Sequence, residues 1–167
     1  MENSLDLLQS KIYQNIEDFG PQLSIWKSSY EEIIFTNGCF DILHLGHIDY
    51  LSKSADLGTK LIIGLNSDSS THLLKGPTRP INNQISRASI LAAFFFIDAI
   101  IIFDEQTPIN LISNILPNVL VKGADYHVSD IVGANEVIAN GGEVKTITFL
   151  EGYSTTAIEQ KIISAHK

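Results

Sequence analysis

The sequence predicts an α/β protein built on one parallel sheet of about five strands, with helices on both faces. Stretches of strand length alternate with stretches of helical periodicity along most of the chain. The strand-like stretches are apolar almost throughout, as expected for strands that are buried on both faces. The connections are short, and right-handed crossovers bring the carboxyl ends of all strands to one edge of the sheet. A ligand crevice is expected at that edge.

The first thirty residues predict a helical extension that precedes a main domain of residues 31–167. Apolar residues recur at helical spacing between Leu5 and Phe19. The pair Gly20-Pro21 is expected to end this helix.

The main domain shows the alternating pattern most clearly. Apolar composition predicts strands at residues 33–35, 61–65, 99–103, 119–121 and 144–147. Helices are expected at residues 45–57, just after 66–68, at 82–95, after 107–108, at 132–139 and at 155–165. The longest apolar run, 90–103, contains Asp98 and therefore predicts the end of a buried helix followed by a buried strand, with no membrane span.

Composition excludes several classes of function. The formal charge of -8 argues against a nucleic-acid-binding surface, so any polyanionic ligand has to be met by a few local cations. The single cysteine, Cys39, allows no disulfide framework, and the first residues lack the features of a signal peptide. We expect a cytoplasmic protein with no nucleic-acid or membrane partner.

The most informative segment, residues 33–47, predicts a strand, a tight turn at Gly38, and a helix that opens with His44 and His47. Both imidazoles and the free N–H groups of the helix then converge on one point, which suits a phosphate. The segment fits neither G-x-G-x-x-G nor the P-loop pattern. Zinc binding is an alternative that lacks a third ligand, because the other histidines are isolated. A further alternative is that His44 caps the turn and His47 is an ordinary helix residue.

Other polar segments follow predicted strands and fall on the same edge. They are Asn66-Ser67-Asp68, the segment 122–126, and Ser154-Thr155-Thr156, and serine or threonine at a helix start is also a common cap. The loop 75–80 carries Lys75 and Arg79 among one glycine and two prolines. It predicts either a cationic clamp over the crevice or a solvated surface loop. Arg87, in the following helix, is a candidate third cation.

Taken together, these segments resemble the nucleotidylyltransferase superfamily that carries the H-x-G-H signature, and within it the heptose-1-phosphate adenylyltransferases. The resemblance covers roughly residues 33–163. It rests on the segments 36–47, 66–68, 75–76, 79–80, 120–126, 140–144 and 154–156, together with Arg87. It implies the Rossmann-like nucleotidylyltransferase fold.

The resemblance also implies roles for individual residues. Contacts to the triphosphate and the leaving pyrophosphate are implied for His44, His47, Lys75 and Arg87. A nucleotide pocket is implied for Thr36, Asn37, Gly38, Cys39, Phe40, Gly46, Gly123, Asp125, Ser154, Thr155 and Thr156. Contacts to the second substrate are implied for Asp41, Asn66, Asp68, Arg79 and Lys122. Mg²⁺ is expected to arrive with ATP, without a dedicated set of protein ligands.

The implied reaction joins ATP and D-glycero-β-D-manno-heptose 1-phosphate to give ADP-heptose and pyrophosphate, for lipopolysaccharide or surface-glycan precursors. One alternative is a cytidylyltransferase that acts on glycerol 3-phosphate or a related alcohol phosphate. Another is a nucleotide-binding module without catalysis. A separate sugar kinase is expected in the same pathway, and a homo-oligomer is compatible with the sequence.

Overall fold

The computed structural model describes residues 3–124 and 130–166, which form a six-stranded parallel sheet with helices on both faces. The strands are β1 (Ile12–Tyr13), β2 (Ile33–Gly38), β3 (Lys60–Asn66), β4 (Ala99–Phe103), β5 (Val119–Gly123) and β6 (Glu143–Ile147). Their order in the sheet is β1-β4-β3-β2-β5-β6, and every neighbouring pair is parallel. The predicted fold class is confirmed, and all five predicted strands are present.

Eight helices connect and flank these strands in the described parts of the chain. They are α1 (Ser4–Gln9), α2 (Ile16–Ser28), α3 (Leu45–Ala55), α4 (Asp68–Lys75), α5 (Gln84–Ala92), α6 (Ile109–Ile115), α7 (Ala134–Ala139) and α8 (Thr155–Ala165). Side-chain oxygens of Asn15, Ser67, Asn83 and Ser154 cap α2, α4, α5 and α8. None of the described helices combines the length and apolar character that crossing a membrane requires.

The two faces of the sheet carry separate hydrophobic cores. Along β2, Ile33 and Phe35 pack in the core that receives α2, α6 and α7, whereas Ile34 packs in the core that receives α3 and α5. This alternation follows from the two-residue period of a strand. Because both faces are covered, the central strands are apolar throughout.

The N-terminal segment differs from the predicted single helix over residues 5–19. It contains two helices with the short strand β1 between them, and β1 pairs with β4 at the edge of the sheet. Gly20 and Pro21 lie inside α2, so they do not end a helix. Pro21 and Glu17 are both exposed, so water can satisfy the Glu17 carbonyl that Pro21 leaves without a donor. Phe19 and Leu23, four residues apart, face the core.

The chain reverses its direction of travel across the sheet between β2 and β5. From β2 it adds β3 and β4 on one side, and it then returns to place β5 and β6 on the other. In parallel α/β sheets, a crevice opens at this reversal beyond the carboxyl ends of the strands. The side chains that follow β2, β3 and β5 therefore surround one crevice.

Candidate active site

A cleft of about 690 Å³ lies at this reversal point. Thirteen of the predicted site residues line it: Asn37, Gly38, Cys39, Phe40, Asp41, His47, Asn66, Lys75, Arg79, Lys122, Gly123, Thr155 and Thr156. They come from the ends of three strands, from two helix starts and from the loop after α4. Topology thus brings together segments that are as far as 119 positions apart in the sequence, from Asn37 to Thr156.

The turn between β2 and α3 is shaped by Phe40. Phe40 has a positive φ of 45°, a left-handed conformation that costs energy for a residue with a side chain. Gly38, where the sequence predicted the tight turn, instead supplies space: a Cβ there would lie 3.0 Å from the Phe40 ring. The ring packs edge-on against His47, with 5.5 Å between centroids. The turn therefore fixes the position of the second histidine.

The two histidines stack on each other at the start of α3. Their ring centroids are 3.9 Å apart, and the planes differ by 27°. His44 occupies the cap position, but its side chain makes no capping hydrogen bond, which argues against the capping alternative. The Nδ1 atoms of both rings are buried and have no hydrogen-bond partner among the described residues. Buried polar atoms without protein partners are unfavourable, and they indicate that a ligand supplies the missing partner.

A small residue at Gly46 permits this stacking. A Cβ at Gly46 would lie 3.1 Å from the His44 ring. The glycine of H-x-G-H therefore leaves room for the first imidazole to fold back over the second.

Burial lowers the pKa of both histidines. The pKa of His47 falls to about 4, through burial first and then through repulsion from His44. The pKa of His44 is lowered by burial alone. Both rings are therefore neutral at pH 7, and each can donate one N–H to an anion.

The lowered pKa of His47 predicts a loss of stability in acid. Between about pH 6.5, the ordinary histidine value, and about pH 4, the unfolded chain binds a proton at this residue that the folded chain excludes. The free energy of unfolding therefore falls as the pH drops through this window. We expect His47→Asn to show a smaller decrease in Tm between pH 7 and pH 4.5 than the wild type. Equal decreases would show that His47 does not contribute.

Arg87 lies behind the cleft, and its side chain is fully buried. Its guanidinium donates to the carbonyls of Asn82, Cys39 and Asn66 at 2.9, 2.6 and 2.8 Å. It also pairs with Asp68 at 2.8 Å. These contacts tie the starts of two cleft segments to α5. The geometry therefore gives Arg87 and Asp68 a positioning role, although the sequence analysis expected contacts to phosphate and to substrate.

Three cations line the cleft of this acidic protein: Lys75, Arg79 and Lys122. Lys75 is exposed at the last position of α4, one residue before the loop in which the sequence analysis placed it. Lys122, at the end of β5, donates to the side-chain oxygen of Asn37 at the end of β2. This bond spans the reversal point of the sheet.

Asp41 holds the loop after α4 against the turn after β2. Its carboxylate accepts from the backbone N–H groups of Ile81 and Asn82 at 2.8 to 2.9 Å and pairs with Arg79 at 3.0 Å. The side chain of Asn82 returns a bond to the Asp41 carbonyl at 2.8 Å. These contacts occupy the carboxylate that the sequence analysis assigned to substrate.

Lys75 should contribute to ligand binding and very little to folding. It is exposed and makes no ion pair within the described part of the chain. We expect Lys75→Ala to weaken the binding of an anionic ligand in the cleft about tenfold with an almost unchanged Tm, because an exposed cation stabilises the fold little. Lys53→Ala, which removes a cation from an exposed i,i+4 pair, is the matched control. Unchanged anion affinity, measured with inorganic triphosphate, or a large decrease in Tm would contradict this role.

Several predicted residues do not line the cleft. Thr36 is buried, and its hydroxyl bonds to the Tyr50 hydroxyl at 2.8 Å. Ser154 caps α8 by accepting from the N–H of Ala157. His44 and Gly46 are absent from the lining, although the His44 ring stacks on His47. Asp125 falls outside the described residues.

Four lining residues were missed by the sequence analysis: Tyr50, Thr71, Leu74 and Phe149. Tyr50 lies three residues after His47, on the same face of α3, and helical spacing could have identified it. Thr71 and Leu74 share a face of α4 with Lys75 for the same reason. Phe149 follows β6 at the edge that carries the crevice.

Comparisons with known proteins identify the family to which the chain belongs. The cytidylyltransferase-like family matches residues 35–161. The bifunctional protein HldE of Marinomonas sp. (strain MWYL1) is 50% identical over 145 residues, which are 87% of this chain and 30% of that protein. The HldE protein of Campylobacter jejuni (strain RM1221) is 51% identical over 84% of this chain and 30% of its own length. The chain thus spans about a third of the length of these curated relatives.

Solved structures are similar in fold. A lipopolysaccharide core biosynthesis protein from Thermoplasma volcanium superposes with a TM-score of 0.58 at 26% identity, over 74% of this chain and 99% of the other. A pantoate-beta-alanine ligase from Francisella tularensis gives a TM-score of 0.56 at 15% identity over 93% of this chain and 78% of its own, and this likeness concerns the fold alone. From the match over residues 35–161 and the 50% identity to curated relatives, we conclude that the chain belongs to the cytidylyltransferase-like family of nucleotidyltransferases.

Proposed function

We propose that this chain transfers the adenylyl group of ATP to D-glycero-β-D-manno-heptose 1-phosphate and releases pyrophosphate. One observation carries the proposal: His47, Lys75 and Lys122 line one cleft at the reversal point of an otherwise acidic protein. An anionic ligand is the partner that suits this arrangement. The similarity to HldE proteins and to a lipopolysaccharide core biosynthesis protein supports a sugar phosphate as the second substrate.

The proposed chemistry needs little beyond positioning and charge stabilisation. The phosphate oxygen of the sugar attacks the α-phosphorus of ATP, and the bond from that phosphorus to the bridging oxygen breaks on the opposite side. The nucleophile is already an anion, so no general base is required. His47, supported by His44, donates a hydrogen bond to the triphosphate, and Lys75 neutralises charge on the leaving pyrophosphate.

Mg²⁺ is part of the substrate in this proposal and enters bound to the triphosphate oxygens. Asp41, an acid that lines the cleft, already accepts two backbone N–H groups and pairs with Arg79. Its carboxylate therefore serves the loop. We assign the chain's own contribution to the cations and the imidazoles.

Lys122, at the end of β5, suits the sugar side of the cleft. It meets Asn37 of the nucleotide pocket at the reversal point, and both side chains line the cleft. A site that hydrogen-bonds sugar hydroxyls rejects analogues without them by several orders of magnitude, since its own polar groups then stay unpaired. We expect this discrimination for the heptose hydroxyls.

A second candidate function is cytidylyl transfer, with glycerol 3-phosphate as the acceptor. The name of the matching family favours the cytidylyl group and does not specify the acceptor. Both candidates are tested by one assay. Pyrophosphate release is measured with each of ATP, CTP, GTP and UTP against heptose 1-phosphate and glycerol 3-phosphate. We expect kcat/KM for ATP with heptose 1-phosphate to exceed that of every other pair by about a hundredfold or more. A higher value for CTP with glycerol 3-phosphate would replace the substrate pair, and no release with any pair would refute catalysis.

A further inference from the structure

Helix α8 stands at the rim of the cleft with almost no packing of its own. Thr155 and Thr156, in its first turn, line the cleft. None of its residues is buried, and Ile162 and Ile163 are more than half exposed. Hydrophobic burial therefore does little to fix α8, although its first two residues belong to the site.

An ion-pair chain supplies the missing attachment. Glu159 Oε1 lies 2.8 Å from Arg79 Nη1, and the same Nη1 lies 3.0 Å from Asp41 Oδ2. Arg79 Nη1 is buried, and its N–H groups are not aligned for a hydrogen bond with either carboxylate, so the contact is electrostatic. The side chains of Asp41 and Arg79 are 7% and 17% exposed, and that of Glu159 is 39% exposed. Because these side chains are partly buried, water screens their ion pairs less than it screens an ion pair on the surface.

The position of Glu159 on α8 connects these ion pairs to the cleft. Glu159 follows Thr155 by four residues and Thr156 by three, so the three side chains share one face of α8. At the other end of this series of ion pairs, the Asp41 carboxylate accepts hydrogen bonds from the backbone N–H groups of residues 81 and 82. Arg79 is therefore neutralised by two acids and links the turn after β2 to α8.

We propose that Glu159 is a positioning residue that acts through Arg79 and Asp41 to hold the first turn of α8 over the nucleotide. The inference rests on the proposed function, since it assigns Thr155 and Thr156 to the nucleotide side of that reaction. Glu159 itself does not line the cleft. Its contribution is to reduce the freedom of α8 before the ligand arrives, which lowers the cost of binding.

The test compares Glu159→Gln with Glu151→Gln. The control removes the same charge from the same C-terminal segment, at an exposed residue with no ion pair in the described part of the chain. For Glu159→Gln we expect KM for ATP to rise about fivefold to tenfold and kcat to stay within about twofold, because binding is lost without loss of the chemical step. Backbone amides of α8 should also lose protection from hydrogen exchange in the protein without ligand. The control should match the wild type in both measurements.

A second variant separates positioning from a general structural effect. Thr156→Ala should raise KM for ATP in the wild type and add little in the Glu159→Gln background, because a mobile α8 no longer presents the hydroxyl. An active Glu159→Gln enzyme with a wild-type KM would overturn the inference. If the wild type releases no pyrophosphate, the proposed function is refuted. The inference is then tested by hydrogen exchange alone, and unchanged exchange of the α8 backbone amides in Glu159→Gln would overturn it.

Discussion

Replacing His47 by alanine is expected to lower kcat for pyrophosphate release about a hundredfold, the effect of removing one preorganised donor. His44→Ala should have a similar effect, because the two rings stack at 3.9 Å and each limits the movement of the other. The fold should stay intact, since neither ring makes a hydrogen bond through its buried Nδ1 in the described structure. Steady-state kinetics together with a thermal melt measure both effects.

The exposed His72 on α4 provides the matched control for these variants. It lies outside the residues that line the cleft, so His72→Ala should keep the wild-type kcat. Nearly wild-type turnover in both His44→Ala and His47→Ala would indicate that the two histidines have only a structural role.

Arg87→Ala is expected to produce the largest loss of stability. The substitution leaves the carbonyls of Cys39, Asn66 and Asn82 without their donor, and it opens a cavity where a fully buried side chain stood. Each orphaned buried acceptor costs about 1 to 3 kcal/mol, so we expect a decrease of about 3 kcal/mol or more in the free energy of unfolding. Denaturant unfolding measures it.

Arg87→Lys refines this prediction. A lysine ammonium cannot reach four acceptors in the geometry of the guanidinium fork, so this variant should also be destabilised, by less than the alanine variant. A variant that loses ATP affinity but keeps the wild-type stability would instead show that Arg87 contacts the phosphates directly.

The sheet could be predicted because burial on both faces makes its central strands apolar throughout. Residues 99–103, for example, form a short apolar run rich in isoleucine, which favours a covered strand, and all five are buried in β4. The short strand β1 could not be predicted in the same way. A strand of two residues is too short to show a periodicity. The pair Gly20-Pro21 is typical of a helix end, but Pro21 lies on the exposed side of α2, where water can satisfy the carbonyl that it leaves without a donor.

The candidate site was predictable as a set of strand ends, because parallel topology gathers those ends at one edge. The direction in which each side chain points could not be predicted from the sequence. Arg87 and Arg79 are both cations in the same stretch of sequence, yet one is fully buried behind the cleft and the other lines it. Thr36 illustrates the same point: it shares the Ile34 side of β2 and meets Tyr50, whereas its neighbour Asn37 reaches the cleft.

Under the proposed function, we expect a single in-line displacement at the α-phosphorus, promoted by positioned cations and imidazoles without an enzyme nucleophile. Cys39 lies in the cleft, and no activating base pairs with it among the described hydrogen bonds. The stereochemical course with a chiral α-phosphorothioate analogue of ATP distinguishes one displacement from two. We predict inversion at phosphorus in the nucleotide-sugar product. Retention would require two displacements and a covalent intermediate, and it would refute a single displacement.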